Sequence, residues 1–376
     1  MEIIEKNKCT GCTACYNICP KGAIEMKEIN GFKYPYIDNN KCINCGLCKK
    51  ICPIHKKNND SLNKCYVGYS NDIKDLEKSS SGGIFPLIAR NILNDNGIVI
   101  GASFKNNKLS HIIIDNIKDL DKLKGSKYLQ SDLSSIFKYI KENINNKKIL
   151  FVGTPCQVGG LKSYLKKDYE NLICIDLICH GVPSPKLFDK YVKYLEDNNN
   201  DKLKNYNFRD KKTGWDTYSN TATFKNKKYT ELASSNSYMK LFLKDIALRE
   251  SCYDCNFKLG NKYSDITLGD FWNVQKYYPD MYNKKGVSAI IINTEKGNHL
   301  FNIIKDSITY KECNIDEILK GNPSLKYSSI KPINRDNFFK DLNTLSFNEI
   351  NNKYTKTPLY IKVLRKLKKI SKKIFK

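Results

Sequence analysis

The sequence predicts an α/β protein of the mixed α+β kind, a small cysteine-rich N-terminal unit joined to a larger α/β region. Three observations predict it. Cysteines recur in a doubled register between Cys9 and Pro53. A polar linker, HKKNNDSLNK, follows from His55 to Lys64. Beyond it, apolar runs of strand length alternate with glycine turns and helical stripes, the rhythm of βαβ units with sites at strand ends. The expected units are residues 1–58, then 64–150 and 151–310 as two parts of the larger region, then a C-terminal extension over 311–376.

The N-terminal unit reads CTGCTACYNICP and, about thirty residues on, CINCGLCKKICP. Each half has cysteines at i, i+3, i+6 and i+10 with proline next, the spacing by which a two-cluster bacterial ferredoxin wraps two [4Fe–4S] cubanes. A tight loop reaches three irons of one cube, and the fourth ligand comes from the other half. Cluster one is therefore assigned to Cys9, Cys12, Cys15 and Cys52, and cluster two to Cys42, Cys45, Cys48 and Cys19. Zinc and a disulfide framework are the rival readings. Zinc takes four ligands per ion, most often from two CxxC units, so this register favours clusters and single-electron transfer.

After the linker, Cys65–Tyr69 reads as a strand. Ser79–Ser81, Gly82 and Gly83 open a helix whose apolar face is Ile84, Leu87, Ile88, Ile92 and Leu93, ended by Asn96-Gly97. Such a start is an anion site by physics, and equally an ordinary capped helix. Gly97–Phe104 and Leu109–Asp115 read as strands; His111, among apolar residues, reads as structural. Gly125–Ser131 is a polar loop carrying Lys127, and Ser131 is expected to cap a helix through Leu133, Ile136, Phe137 and Ile140. Lys147–Gly153 is a strand feeding a helix. Thr154, Pro155 and Gln157 form its capping box, placing Cys156 in the first turn, where the helix dipole is expected to lower a thiol pKa. The strand Asn171–Gly181 ends in Cys179 and His180, and a helix starts at Ser184-Pro185. A β-rich stretch with Arg209, Asp210 and Trp215 leads to a hairpin about Asn226. Tyr238–Arg249 is expected to be helical, ahead of Cys252-x-x-Cys255, and Asp265–Trp272 and Gly286–Asn293 read as strands.

The chain has 376 residues and fifteen cysteines. It has no apolar run of membrane-spanning length and no visible signal peptide, so metal sites in a reducing cytoplasm are expected rather than disulfides. The formal charge of +25 suits an acidic electron carrier such as ferredoxin or flavodoxin, a phosphorylated cofactor or an anionic membrane surface. No nucleic-acid motif accompanies it. From Lys353 to Lys376 there are no acids, and Tyr360, Val363, Leu364, Leu367, Ile370 and Ile374 form an apolar stripe among lysines. This basic amphipathic helix either packs on its own domain or lies on the inner face of the membrane.

Outside the doubled register, Cys156, Cys179, Cys252 and Cys255 form a second kind of set: two from strand ends and two from one loop. A third [4Fe–4S] cluster, a structural zinc, a Cys252–Cys255 disulfide and a nucleophilic Cys156 are all open readings of their spacing. FVGTPCQVGGL, ICHGVPS, FRDKKTGW, SCYDC and SDITLGDFW occur in that order. Together they resemble the family of coenzyme F420 hydrogenase/dehydrogenase beta subunits, with SSGGIF and GSKYLQS matching its N-terminal part over roughly Cys65 to Leu300. The resemblance implies an iron–sulfur flavoprotein: a third cluster on those four cysteines, and FAD held by Ser81, Gly82, Gly83, Lys127, Tyr128, Gln130 and Thr154. Coenzyme F420 is the implied partner in electron exchange, alongside a relay to a partner enzyme. His180 and Asp270 are candidate proton donors, and Asn273 stands where a glycine is expected. No G-x-G-x-x-G follows a strand, so a nicotinamide site is not supported.

Overall fold

The computed structural model describes residues 2–58, 62 and 64–355. From residue 356 on, the expected basic C-terminal helix lies outside the described residues.

The N-terminal head is two cysteine loops on one hairpin. Strands β1 (Ile24–Ile29) and β2 (Phe32–Ile37) pair antiparallel. Asn30 and Gly31 between them both take positive φ, 55° and 83°, as a two-residue hairpin turn of the primed type requires. The cysteine loops repeat one backbone device. Two and four residues after the first cysteine of each loop, the chain is left-handed: Gly11 (φ 70°) and Thr13 (φ 64°) in one, Asn44 (φ 53°) and Gly46 (φ 70°) in the other. These bends fold each run of three cysteines around a common centre, ahead of the short helices Ala14–Ile18 and Leu47–Lys50.

The rest is built on one eight-stranded sheet. Its strands are β3 (Lys64–Ser70), β4 (Ile98–Lys105), β5 (Lys108–Ile114), β6 (Ile149–Gly153), β7 (Leu172–Leu177) and, after the small sheet, β11 to β13. The small three-stranded sheet comprises β8 (Leu203–Asp210), β9 (Ser219–Phe224) and β10 (Lys228–Leu232). Strands β11 (Ile266–Asp270), β12 (Ser288–Ile292) and β13 (Ile308–Cys313) complete the large sheet in the order β13-β3-β12-β11-β7-β6-β4-β5. The run β4-β6-β7-β11 is parallel, and the flanking pairs are antiparallel. Central strands are buried nearly end to end, which is why β6, β7 and β12 read as unbroken apolar runs. Strand β3 is inserted between β12 and β13, so one sheet runs through all the expected parts. The expected divisions at 150/151 and 310/311 fall inside β6 and β13.

Three elements depart from expectation at places that matter. The helix after β10 spans Ser237–Leu243 and stops, because Asp245 turns left-handed (φ 61°); Arg249 is thereby released from any helix. The strand expected to reach Gly181 ends at Leu177, leaving Ile178–Gly181 as a free loop at the sheet's carboxyl edge. The helix expected from Ser131 begins at Ile136, past the left-handed Ser134.

Candidate functional site

The eight head cysteines fall into the two expected groups. Cys9, Cys12, Cys15 and Cys52 line one small cavity. Cys19, Cys42, Cys45 and Cys48 line another. The first, inner group faces the core: Cys9, Cys12 and Cys52 are buried. The second, outer group is exposed at Cys45 and half-buried elsewhere. Burial, with the neighbouring thiols adding repulsion, pushes the Cys12 thiol up to about 12 and holds Cys15 well above its usual range. These thiols are neutral unless a cation displaces their protons, as thiolate-binding metals do.

The head is seated on the core through named contacts. Gly160, in the helix Pro155–Leu165 that follows β6, leaves room for Cys12: a Cβ there would stand 2.7 Å from Cys12 Cβ and 2.9 Å from its Sγ. Ser163 Oγ donates to Ile51 O at 2.7 Å, and Ser184 Oγ to Asn30 O at 2.6 Å. Gln130 Nε2 donates to Thr10 O at 3.1 Å.

That same helix carries Cys156 in its first turn, with Gln157 Oε1 accepting from Thr154 N–H at 2.9 Å as the capping box predicts. Cys156, Cys179, Cys252 and Cys255 converge, close enough that each of the other three acts on the charge of Cys156. Strands β6 and β7 are parallel neighbours, which brings Cys156 and Cys179 to one edge. The expected lowering of the Cys156 pKa is overturned. Burial and the three neighbouring thiols hold it well above the usual thiol range, outweighing the helix dipole. Burial likewise pushes Cys252 up to about 12. Among the described residues no three His, Cys, Asp or Glu side chains close tightly enough around one point to hold a single metal ion.

Beside the third set lies a cavity of about 450 Å³ at the carboxyl ends of β6, β7 and β11, where open α/β sheets bind ligands. Ser81, Gly83, Lys127, Tyr128 and Thr154 line it, as do Cys179, His180 and Asp270. Gly82 and Gln130 are not on its wall. Gly82 is buried behind it, its N–H donating to Ser288 Oγ at 2.9 Å, and a Cβ there would stand 2.6 Å from Gly68 O. Gln130 points to the head instead. The serines do not cap the helix Ile84–Asn94; left-handed Gly83 (φ 76°) precedes it, and Ser81 Oγ donates to Val287 O at 2.9 Å.

The cavity wall holds several polar groups with capacity to spare. Lys127 Nζ donates to Leu123 O and Lys124 O, both at 2.9 Å. Among the described residues no carboxylate faces it, and burial pulls it down to about 7. His111 Nε2 bonds Val152 O at 2.9 Å, while its buried Nδ1 has no partner. Arg209 is ion-paired to Asp270 at 2.9 Å and donates to Tyr128 Oη at 3.2 Å, with its buried Nε unpartnered. Asp270 also accepts from Trp215 Nε1 at 2.7 Å, so its carboxylate is fully engaged in holding the wall. His180 Nε2 meets Asp245 Oδ1 at 2.5 Å, and its Nδ1 meets Ser324 Oγ at 3.3 Å. The residues that sequence reasoning missed are Arg209, which sat unassigned inside FRDKKTGW, Asp245, and Arg249, three residues before Cys252.

Residues 146–318 match the model of the family described as coenzyme F420 hydrogenase/dehydrogenase, C terminus of the beta subunit. Residues 8–55 match the 4Fe-4S dicluster domain. The chain is 27% identical over 336 residues to a coenzyme F420-dependent sulfite reductase of Methanocaldococcus jannaschii, covering 85% of this chain and 49% of that protein. It is 22% identical over 336 residues to the F subunit of the F(420)H(2) dehydrogenase of Methanosarcina mazei, covering 83% and 86%. A chain of the F420-reducing [NiFe] hydrogenase complex from Methanosarcina barkeri aligns over 78% of this chain and 91% of its own, at 18% identity and a TM-score of 0.46. The chain thus spans about half the length of the sulfite reductase it matches.

Proposed function

We propose, from a chain that belongs over residues 146–318 to the family of coenzyme F420 hydrogenase/dehydrogenase beta subunits and over residues 8–55 to the 4Fe-4S dicluster domain, that this protein is an iron–sulfur flavin oxidoreductase. It moves electrons singly through three [4Fe–4S] clusters and, at an FAD, exchanges them in pairs with coenzyme F420 or a small organic substrate. One observation carries the reading: three sets of four cysteines lie in succession, and the last shares a wall with a large, mostly apolar cavity that carries a few polar groups. The helix Pro155–Leu165 joins the inner and third sets, since Cys156 and the Cys12-packing Gly160 are four residues, about 6 Å, apart along it.

The ligands are Cys19, Cys42, Cys45 and Cys48 outside, Cys9, Cys12, Cys15 and Cys52 inside, and Cys156, Cys179, Cys252 and Cys255 in the core. Thr154 Oγ1 lies 3.2 Å from Cys156 Sγ and orients that ligand at the cavity edge. A bound flavin supplies the conversion between one- and two-electron steps. Lys127, buried without an anion, takes a phosphate of the cofactor, which restores its charge. His111 Nδ1 accepts and Arg209 Nε donates a hydrogen bond to the ligand. His180, backed by Asp245, holds the proton that a two-electron reduction consumes. Asp270 positions Arg209 rather than giving up a proton. At the outer set, exposed Lys21, Lys41, Lys49 and Lys50 suit an acidic one-electron carrier of the ferredoxin or flavodoxin kind. No described helix is long and apolar enough to cross a membrane; the reading places the protein in the cytoplasm.

The M. mazei relative is by name one subunit of a dehydrogenase, which favours a second reading: a relay that feeds a partner enzyme and has no substrate of its own. The test is reduction of the purified lone chain by reduced coenzyme F420, followed through the flavin absorbance. Flavin reduction with saturation in coenzyme F420 is expected; a chain without flavin supports the relay. Lys127→Gln should weaken flavin binding about 10- to 100-fold, the worth of a hydrogen bond to a charged group, read by fluorescence titration of the flavin.

A further inference from the structure

We infer that Arg249 is the resident cation of the inner cluster: it sits between the inner and third cysteine sets and raises the inner cluster's reduction potential above that of the outer one. This rests on the cluster assignment proposed above. Arg249 is 1% exposed, among the largest fully buried side chains of the molecule. Its Nε donates to Cys9 O at 2.6 Å, Nη2 to Cys9 Sγ at 3.6 Å and to Lys33 O at 3.0 Å, and Nη1 to Gln130 Oε1 at 3.1 Å. Its guanidinium lies 4.2 Å from the centre of the Tyr34 ring and 5.4 Å from that of Phe32. Gly11 is held bare beside it: a Cβ there would stand 2.9 Å from Nη1. From the other side, its carbonyl accepts from Cys252 N–H at 2.9 Å.

Among the described residues no carboxylate pairs with it. The acidic neighbour Glu250 is taken by Arg335 and Lys331. A buried guanidinium satisfied by carbonyls, an amide, one sulfur and ring faces is a costly arrangement unless an anion lies beside it. The anion that fits is a cluster on the inner thiolates, one of which Arg249 already contacts through sulfur. Each added electron makes such a cluster more negative, so a fixed cation and an N–H···S bond favour its reduced form. Among the described residues the outer set has no counterpart; its lysines are exposed and water screens them. The inner site is thereby the more readily reduced of the two, which draws electrons from the surface inward.

The test is a potentiometric titration of the whole chain with dithionite, followed by EPR, with iron counted in each sample. Signals are assigned by their loss in Cys45→Ser (outer) and Cys156→Ser (third). In Arg249→Gln the inner cluster should become harder to reduce by at least tenfold in its equilibrium, about 59 mV for one electron, with the outer cluster unmoved. Gln130→Glu sets a carboxylate against Nη1 while keeping the Cys9 contacts, and should lower the inner potential in the same direction even if Arg249→Gln fails to fold. Arg249→Lys should recover most of the shift. An inner potential unchanged in Arg249→Gln or Gln130→Glu at full iron content, or inner and outer potentials moving together, overturns the inference. A wild-type chain with no iron on the inner set defeats the cluster assignment instead.

Discussion

The two halves of the head are the same sequence device in two surroundings. Both place cysteines at i, i+3, i+6 and i+10, and both bend at the same two left-handed positions. Yet Cys9, Cys12 and Cys52 are buried against the core, while Cys45 stands in solvent. Gly11 is pressed by Arg249, whereas nothing lies within 4 Å of a Cβ added at Gly46. Spacing therefore determines what each half can hold, and the neighbouring surface determines what that group can do. On the proposed reading, the outer half meets a partner and the inner half passes charge into the protein.

The sharpest way to break this contrast is to remove one ligand from each half. Cys12→Ser and Cys45→Ser should each lose about four irons, but only Cys12→Ser should unseat the head. We expect a loss near 2 kcal/mol, lowering Tm by roughly 2–3 °C at this chain length, with faster protease cleavage in the linker at 55–64. Equal Tm values for the two variants would erase the distinction.

Acid should also act on the inner side. Phe151 belongs to the core that holds Cys12, and His111 stacks on it with ring centres 5.4 Å apart. Burial pulls His111 from 6.5 down to about 4, so between those values the unfolded chain binds the proton and the folded one does not. His111 then stabilises the fold fully above pH 6.5 and progressively less as pH falls to 4, a loss of about 3 kcal/mol. His111→Phe should flatten that part of the stability profile in denaturant titrations; an unchanged slope would show that another group governs it.

Gly160→Val drives a side chain into Cys12 and should cost about 1–3 kcal/mol, emptying the inner site while the outer keeps its iron. The smallest effects come from matched asparagines, which tolerate left-handed backbone. Gly46→Asn should be near silent, while Gly11→Asn, with Arg249 in the way, should loosen the inner cluster. Iron retention after mild chelation reads both.

What was legible in the sequence was local. The doubled register, the capping box that puts Cys156 on a helix start, and the neighbouring strands that end near Cys156 and Cys179 all follow from spacing. Asn273, where the family resemblance implies a glycine, takes φ 64°, a left-handed backbone that glycine adopts most readily. What was not legible depended on distant chain. The insertion of β3 between β12 and β13 follows no local pattern. The pKa of Cys156 moves up because three remote thiols and a closed core surround it. Gln130 was assigned to the flavin through the family resemblance of GSKYLQS, yet it turns toward Thr10. Arg249 lay in a stretch that reads as helix until Asp245 breaks it, so its reach across to Cys9 could not be seen.

The most direct measurement is anaerobic purification of the full chain with iron, acid-labile sulfide, zinc and flavin quantified per polypeptide. The proposed function predicts about twelve irons, as many sulfides, one FAD and no zinc. Eight irons with one zinc, or twelve irons with no flavin, would contradict it.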